Sequence, residues 1–231
     1  MDQVQSSPSS QDLSELGPDQ KREWKMFFGG HYGREYKMPF VRPVLAELDR
    51  QGELEVIIDV GSGVYPLSYE FHGKKKTILI DIAAPDVQDG NLMYMKFDID
   101  HLADTTRKET REALQKAGDF LEIDRSAECN PEQADLVIFS DILNYVDYQE
   151  TIRNFLKYLK PGGRIMIFNG QNRGIHRLFS PKGAKDNIEL IKFLCAEGLR
   201  AEDIVYPRED GDPTGVVFLV FRKPKTVSVE R

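Results

Sequence analysis

Three aspartates stand at the ends of three short apolar runs: Asp59 in "EVIIDV" (55 to 60), Asp81 in "TILIDI" (77 to 82) and Asp98 just after "LMYMKF" (92 to 97). Asp59 opens the glycine-bearing stretch "DVGSGVYP", 59 to 66. A carboxylate there repels a diphosphate and attracts an ammonium or sulfonium group. Asp81 can accept hydrogen bonds from both hydroxyls of a ribose, and Asp98 from an amino group. Gly61 and Gly63 let the backbone approach a ligand closely. Where a dinucleotide-binding loop needs its third glycine, this chain has Pro66, which stiffens the turn. Aspartate is also common where strands stop and helices are capped. Three acids in step with one glycine loop point to a site for a cationic, ribose-bearing ligand. A nicotinamide-dependent oxidoreductase stays open as an alternative, since Asp81 would suit its ribose, although Asp59 and Pro66 speak against it.

The elements that must hold these residues follow from the rhythm of the chain. After Gly52 come "EVIIDV", "TILIDI", "LMYMKF", "ADLVIFS" (134 to 140) and "RIMIFN" (164 to 169), separated by helical segments. Continuous apolar runs of this kind are expected of parallel strands covered on both faces, hence an open α/β sheet with right-handed crossovers. Its carboxyl edge, where the three acids fall, is where such sheets bind ligands. Asp147 with Glu150 makes a capping-box start for a helix whose stripe is Ile152, Phe155, Leu156 and Leu159, ended by "PGG" at 161 to 163. Residues 102 to 117 read as a polar surface helix, and Ile188, Ile191, Leu194 and Cys195 as a further one ending at Gly198. "EDIVYP" (202 to 207) and "GVVFLVFRK" (215 to 223) read as a hairpin that closes the sheet with an antiparallel pair.

Residues 1 to 18 are rich in Ser, Gln, Asp and Pro and are expected to form a disordered tail. Residues 19 to 52 carry two helical patterns, Trp24, Phe27 and Phe28 and then Val41, Val44, Leu45 and Leu48, joined by the connector "GGHYGREYKMP". They are expected to cap the domain spanning 53 to 224. The 231 residues have a formal net charge of −7 and are 40% hydrophobic and 30% charged. This balance excludes a polyanion as the expected partner, and no apolar run reaches the length of a membrane span. Cys129 and Cys195 lack metal-ligand spacing, and the N-terminus lacks a signal-peptide pattern, so a cytoplasmic setting is expected.

From about Glu55 to Lys223 the chain resembles the class I S-adenosylmethionine-dependent methyltransferases. The resemblance rests on "DVGSG", "LIDI", "FDI", "ADLVIFSDILNYV" and "LKPGGRIMIF" taken together. It implies a Rossmann-like α/β fold: a seven-stranded, mostly parallel sheet with an antiparallel last strand, helices on both faces and an N-terminal helical cap. It also implies S-adenosylmethionine as cofactor. Gly61, Ser62 and Gly63 would border its methionine portion, and Asp59 would lie near the ammonium. Asp81 would bind the ribose, Asp98 would approach the adenine amino group, and Ile82 and Ile99 would lie against the adenine faces. Ser140 and Asp141 would sit beside the transferring methyl.

The acceptor leaves a fainter trace. Methyl transfer needs alignment and exclusion of water, and a base when the acceptor is a hydroxyl. His31 and Tyr32, in the connector ahead of the first strand, are the candidate catalytic residues; Arg34 or Tyr36 could meet the methionine carboxylate. Asn144 and Tyr145 are candidates for the acceptor pocket, as are Arg173 and His176 in the long "GQNRGIHRLFSP" connection, each with a bland reading as a packed or solvated side chain. The signature [DN]-P-P-[YFW] of amino-directed nucleic-acid enzymes is absent after the fourth run, which reads "SDIL". Asp141 and Asn169 alone underfill a divalent metal site, so no metal is expected. The expected protein is a methyltransferase for a small molecule, with oxygen the favoured acceptor, nitrogen or carbon as alternatives, and no nucleic-acid or membrane partner. A protein of this fold that binds the cofactor without transferring methyl is the remaining alternative.

Overall fold

A computed structural model describes residues 34–63, 66–82, 86–122, 132–170, 180–207 and 215–225. Eight strands form one sheet: β1 (Val56–Val60), β2 (Lys76–Asp81), β3 (Val87–Asp89), β4 (Leu92–Lys96), β5 (Ala134–Ser140), β6 (Leu159–Gly170), β7 (Arg200–Val205) and β8 (Val216–Arg222). Their order is β3-β4-β2-β1-β5-β6-β8-β7. Neighbours from β4 through β6 are parallel, and β8 is antiparallel to both β6 and β7. This is the expected sheet with one more strand than expected. The addition, β3, pairs antiparallel with β4 through Gly90. All three β3 residues are exposed, so it carries no apolar run from which a strand could be read.

Burial explains the apolar runs. Consecutive residues of a strand point to opposite faces: Ile58, Val137, Phe139 and Ile165 join one buried cluster, Ile57, Leu136, Ile138 and Met166 the other. The first face is covered by α2 (Lys108–Phe120), α3 (Tyr148–Leu156) and α4 (Asn187–Ala196), which contribute Phe120, Phe155 and Leu190 among others. On the second face Val41, Leu45 and Leu48 of α1 (Arg34–Arg50) pack with Leu67 and Phe71 against the sheet. Residues 34–50, part of the segment expected to cap the domain, lie as a layer on the second face of the sheet.

Two local readings are corrected. Helix α1 begins at Arg34 and runs through Pro39 and Pro43, where the sequence suggested a connector up to Pro39. A proline inside a helix removes a backbone hydrogen bond at a cost of about 3 kcal/mol; burial of Met38, Val41, Leu45 and Leu48 offsets it. "LKPGG" is not a free turn but lies within β6, with a register shift against β5 between Ala134 and Leu136. The N-cap holds as read, since Asp147 Oδ1 accepts from the Glu150 amide at 3.2 Å, but the reciprocal half of the box does not form: the Asp147 amide donates to Asp100 Oδ1 at 3.3 Å.

Candidate functional site

The chain runs from β1 outward through β2 and β4, then returns to place β5 on the other side of β1. That reversal opens a crevice at the carboxyl ends of β1 and β5, the place where open α/β sheets bind ligands. The glycine loop enters it from one side and Ser140 and Asp141 from the other. Gly61 has φ +69°, its amide donates to the Ile80 carbonyl at 2.8 Å, and a Cβ added there would lie 2.7 Å from Ile142 Cβ. Gly63 donates its amide to Asp81 Oδ2 at 3.0 Å, so the loop and the end of β2 are tied together. The helix that the motif led us to expect after this loop is reduced to a 3-10 turn, Tyr69–Phe71.

Asp59 is fully buried and turned into the loop. Its Oδ2 accepts from the Ser68 amide at 3.0 Å and the Ser68 hydroxyl at 2.8 Å, and the Leu67 backbone also favours the charged carboxylate, while Oδ1 has no partner at full hydrogen-bond geometry. Burial pushes its carboxyl up to about 6, against the lowering effect of Ser68 and of the Lys37 charge. The buried Ser62 hydroxyl likewise lacks a partner. Two orphaned polar atoms in one loop are what a site built for a polar ligand leaves in the protein alone. The close approach at Gly61 packs the loop directly on the end of β5, with no room for a side chain.

The other expected residues fall along the same edge. Asp81 and Asp98 follow one another on β2 and beyond β4, which are paired neighbours. Asp98 is exposed and accepts from the Asp100 amide at 3.1 Å, capping the 3-10 turn Ile99–His101. Ile82 is 55% exposed, an apolar surface free to cover a ring, whereas Ile99 is buried. An open polar cavity of about 260 Å³ lies past Ile99, between Asp100, Asp147 and Glu150 at the start of α3, and Lys182, which comes between β6 and α4. None of the glycine-loop residues lines it.

Lys37 is the residue the sequence reading missed. Its Nζ lies 2.6 Å from Asp141 Oδ2, 2.8 Å from Ser140 Oγ and 5.3 Å from the centre of the Phe168 ring. Position 37 stands one helical turn before Val41, so extending the stripe Val41, Leu45, Leu48 backwards would have found it on the buried face. Asp141 itself has φ +54°, a left-handed conformation that aspartate tolerates better than most residues. It is held by its amide on the Phe168 carbonyl and its Oδ1 on the Gly170 amide, both at 2.7 Å.

Asn144, expected at an acceptor pocket, is only 2% exposed. It donates to the Gly170 carbonyl at 2.7 Å and accepts from Asn169 at 3.4 Å; Asn169 also donates to Asn187 at 3.2 Å. These amides fasten β5, β6 and α4 behind the crevice. A half-buried Tyr145 packs against the first core cluster. Asp141 is engaged by protein partners, as is the Asn169 amide nitrogen, while the buried Asn169 Oδ1 has no hydrogen-bond partner. No group of three or more metal-ligating side chains gathers among the described residues, and none of their helices is long and apolar enough to cross a membrane. His31, Tyr32, Arg173 and His176 lie outside the described residues, as do the side chains of Arg34 and Tyr36.

At the level of sequence, no family model and no curated protein matches the chain. Solved structures do match in fold. The N-methyltransferase NodS from Bradyrhizobium japonicum WM9, in complex with S-adenosylhomocysteine, superposes with a TM-score of 0.53 at 14% identity, over 95% of this chain and 100% of its own. The 1,6-didemethyltoxoflavin-N1-methyltransferase of Burkholderia thailandensis, with that acceptor and S-adenosylhomocysteine bound, gives 0.52 at 14% identity, over 97% and 94%. An S-adenosylmethionine-dependent methyltransferase from Mesorhizobium loti gives 0.53 at 14% identity, over 83% and 100%. The chain has the fold of the class I S-adenosylmethionine-dependent methyltransferases.

Proposed function

We infer that the protein is an S-adenosylmethionine-dependent methyltransferase acting on a small molecule, with a hydroxyl oxygen as acceptor. The observation that carries this reading is the row of carboxylates along β4, β2, β1 and β5, gathered around a glycine loop whose Gly63 amide is bonded to Asp81. Asp81 would hold the ribose, Asp98 and Ile82 the adenine end, and Gly61 to Gly63 the methionine portion, while Ser140 and Asp141 face the transfer point. When bound, the cofactor would supply the methyl as a sulfonium whose S–C electron pair stays on sulfur, while the acceptor hydroxyl would give its proton to a base of this chain. His31 or Tyr32 would be that base. The remaining work of the chain is alignment and exclusion of water. An acceptor arriving as an ammonium would meet the Lys37 charge beside Ser140 and Asp141, an effect that the pairing of Lys37 with Asp141 reduces.

Calorimetric titration with S-adenosylmethionine, S-adenosylhomocysteine and NAD tests the reading, and binding of NAD alone would sink it. Asp81→Ala is expected to weaken S-adenosylhomocysteine binding on the order of a hundredfold, through loss of two charge-assisted hydrogen bonds. Asp98→Ala, at an exposed position, is expected to cost less than about tenfold. Equal effects of the two would remove Asp81 from its ribose role. Mass spectrometry of extracts incubated with labelled cofactor should find the methyl on a small metabolite and not on protein or nucleic acid.

A further inference from the structure

The carboxyl edge of the sheet carries a cation of its own. Lys37 is 8% exposed, and its ammonium is enclosed by Asp141, Ser140 and the face of Phe168. An ammonium has three N–H donors, and two are committed to the residues that end β5. Fixing so flexible a side chain is entropically costly. The other well-buried cation of the sheet, Arg164, answers to Glu53 and Glu202 and joins the start of β6 to residues before β1 and on β7. That pairing belongs to the frame of the fold. Lys37 instead stands at the crevice: its charge is felt by Asp59 on β1, and its partner Ser140 has its carbonyl 3.2 Å from where a Cβ at Gly61 would be. One ammonium is thus paired with the carboxylate that follows β5, and its field reaches the buried carboxylate of β1.

We propose that Lys37 is a specificity-determining residue that sets the preference between the positively charged methyl donor and its neutral product. This rests on the reading above that the sulfonium lies beside Ser140 and Asp141. A fixed ammonium there raises the free energy of a sulfonium and leaves an uncharged thioether unaffected. Asp141, in contact with the ammonium, cancels part of the repulsion between the two cations, and a net effect on the order of tenfold in affinity is expected. The repulsion disappears as the S–C bond breaks and its electron pair stays on sulfur, so the residue that weakens donor binding also favours transfer.

The test is calorimetric titration of the full chain, wild type, Lys37→Met and Lys37→Arg, with S-adenosylmethionine and S-adenosylhomocysteine. The wild type should favour the homocysteine form; Lys37→Met should shift the ratio toward S-adenosylmethionine by about tenfold, and Lys37→Arg should keep the wild-type ratio. Lys37→Gln, polar and uncharged, gives the same comparison if the methionine variant does not fold. A shift below about threefold overturns the proposal. So does an equal fall in both affinities, which would make Lys37 an anchor for the carboxylate common to both ligands. If the wild type binds neither ligand, the cofactor reading itself fails and takes this inference with it; that outcome is distinct from an unchanged ratio.

Discussion

Gly61→Ala is expected to destabilise the protein by about 2 to 4 kcal/mol and to lose affinity for S-adenosylhomocysteine. Two effects add. At φ +69° an alanine pays roughly 1 kcal/mol or more for a left-handed backbone. Its Cβ would also stand 2.7 Å from Ile142 Cβ and 3.2 Å from the Ser140 carbonyl oxygen. Neither atom is the free end of a flexible side chain, so the loop must move off the end of β5, and overpacking of this kind costs typically about 1 to 3 kcal/mol. Gly52 supplies the control, because it has the same φ of +69° with nothing within 4 Å of an added Cβ. Gly52→Ala should therefore cost only the conformational part, roughly 1 kcal/mol. Urea unfolding of both variants reads the difference. Equal costs would mean that the glycine loop does not press on the Asp141–Ile142 segment.

The second large effect is a pH dependence located at Asp59. Its carboxyl is raised to about 6 in the folded protein, chiefly by burial, whereas an unfolded chain releases the same proton near about 3.9. The folded state therefore binds the proton more tightly. Its contribution to stability is fully present below about pH 4 and is lost as the pH rises through about 6, a change of about 3 kcal/mol. Asparagine at this position has a similar shape and no titration. The unfolding free energy of the wild type relative to Asp59→Asn should thus fall by about 3 kcal/mol between roughly pH 4 and pH 7 and be level above that. Denaturant unfolding of both proteins across that range measures it. A flat difference would show the carboxylate charged throughout, with Ser68 and Lys37 fully offsetting its burial.

Asp59 also shows how an expectation about charge differs from one about geometry. A carboxylate before the glycine loop was legible from "DVGSG", and so was its aversion to phosphate. Its engagement by Ser68 was not, since the amide and hydroxyl that it accepts from are brought back by the turn around Pro66 and Leu67. Asn144 is similar: its place after β5 was readable, while its use as a fastener depends on Gly170 and Asn169, which arrive on a different strand.

By itself the sequence determined the parallel core of the sheet, the capped start of α3, the terminal antiparallel pair and the row of acids beside the glycine loop. These features are local. A strand buried on both faces must be apolar throughout, a cap must lie at a fixed offset from its helix, and a ligand edge follows from strand direction. Only the tertiary structure decided the added strand β3, the replacement of a helix by a single turn after the loop, the packing of α1 along the sheet, and above all the seat of Lys37. An exposed strand has no burial to write into its residues. A buried ammonium, likewise, is set by partners 103 and 104 residues away along the chain, Ser140 and Asp141 (140 − 37 and 141 − 37), and no spacing within "REYKMP" announces them.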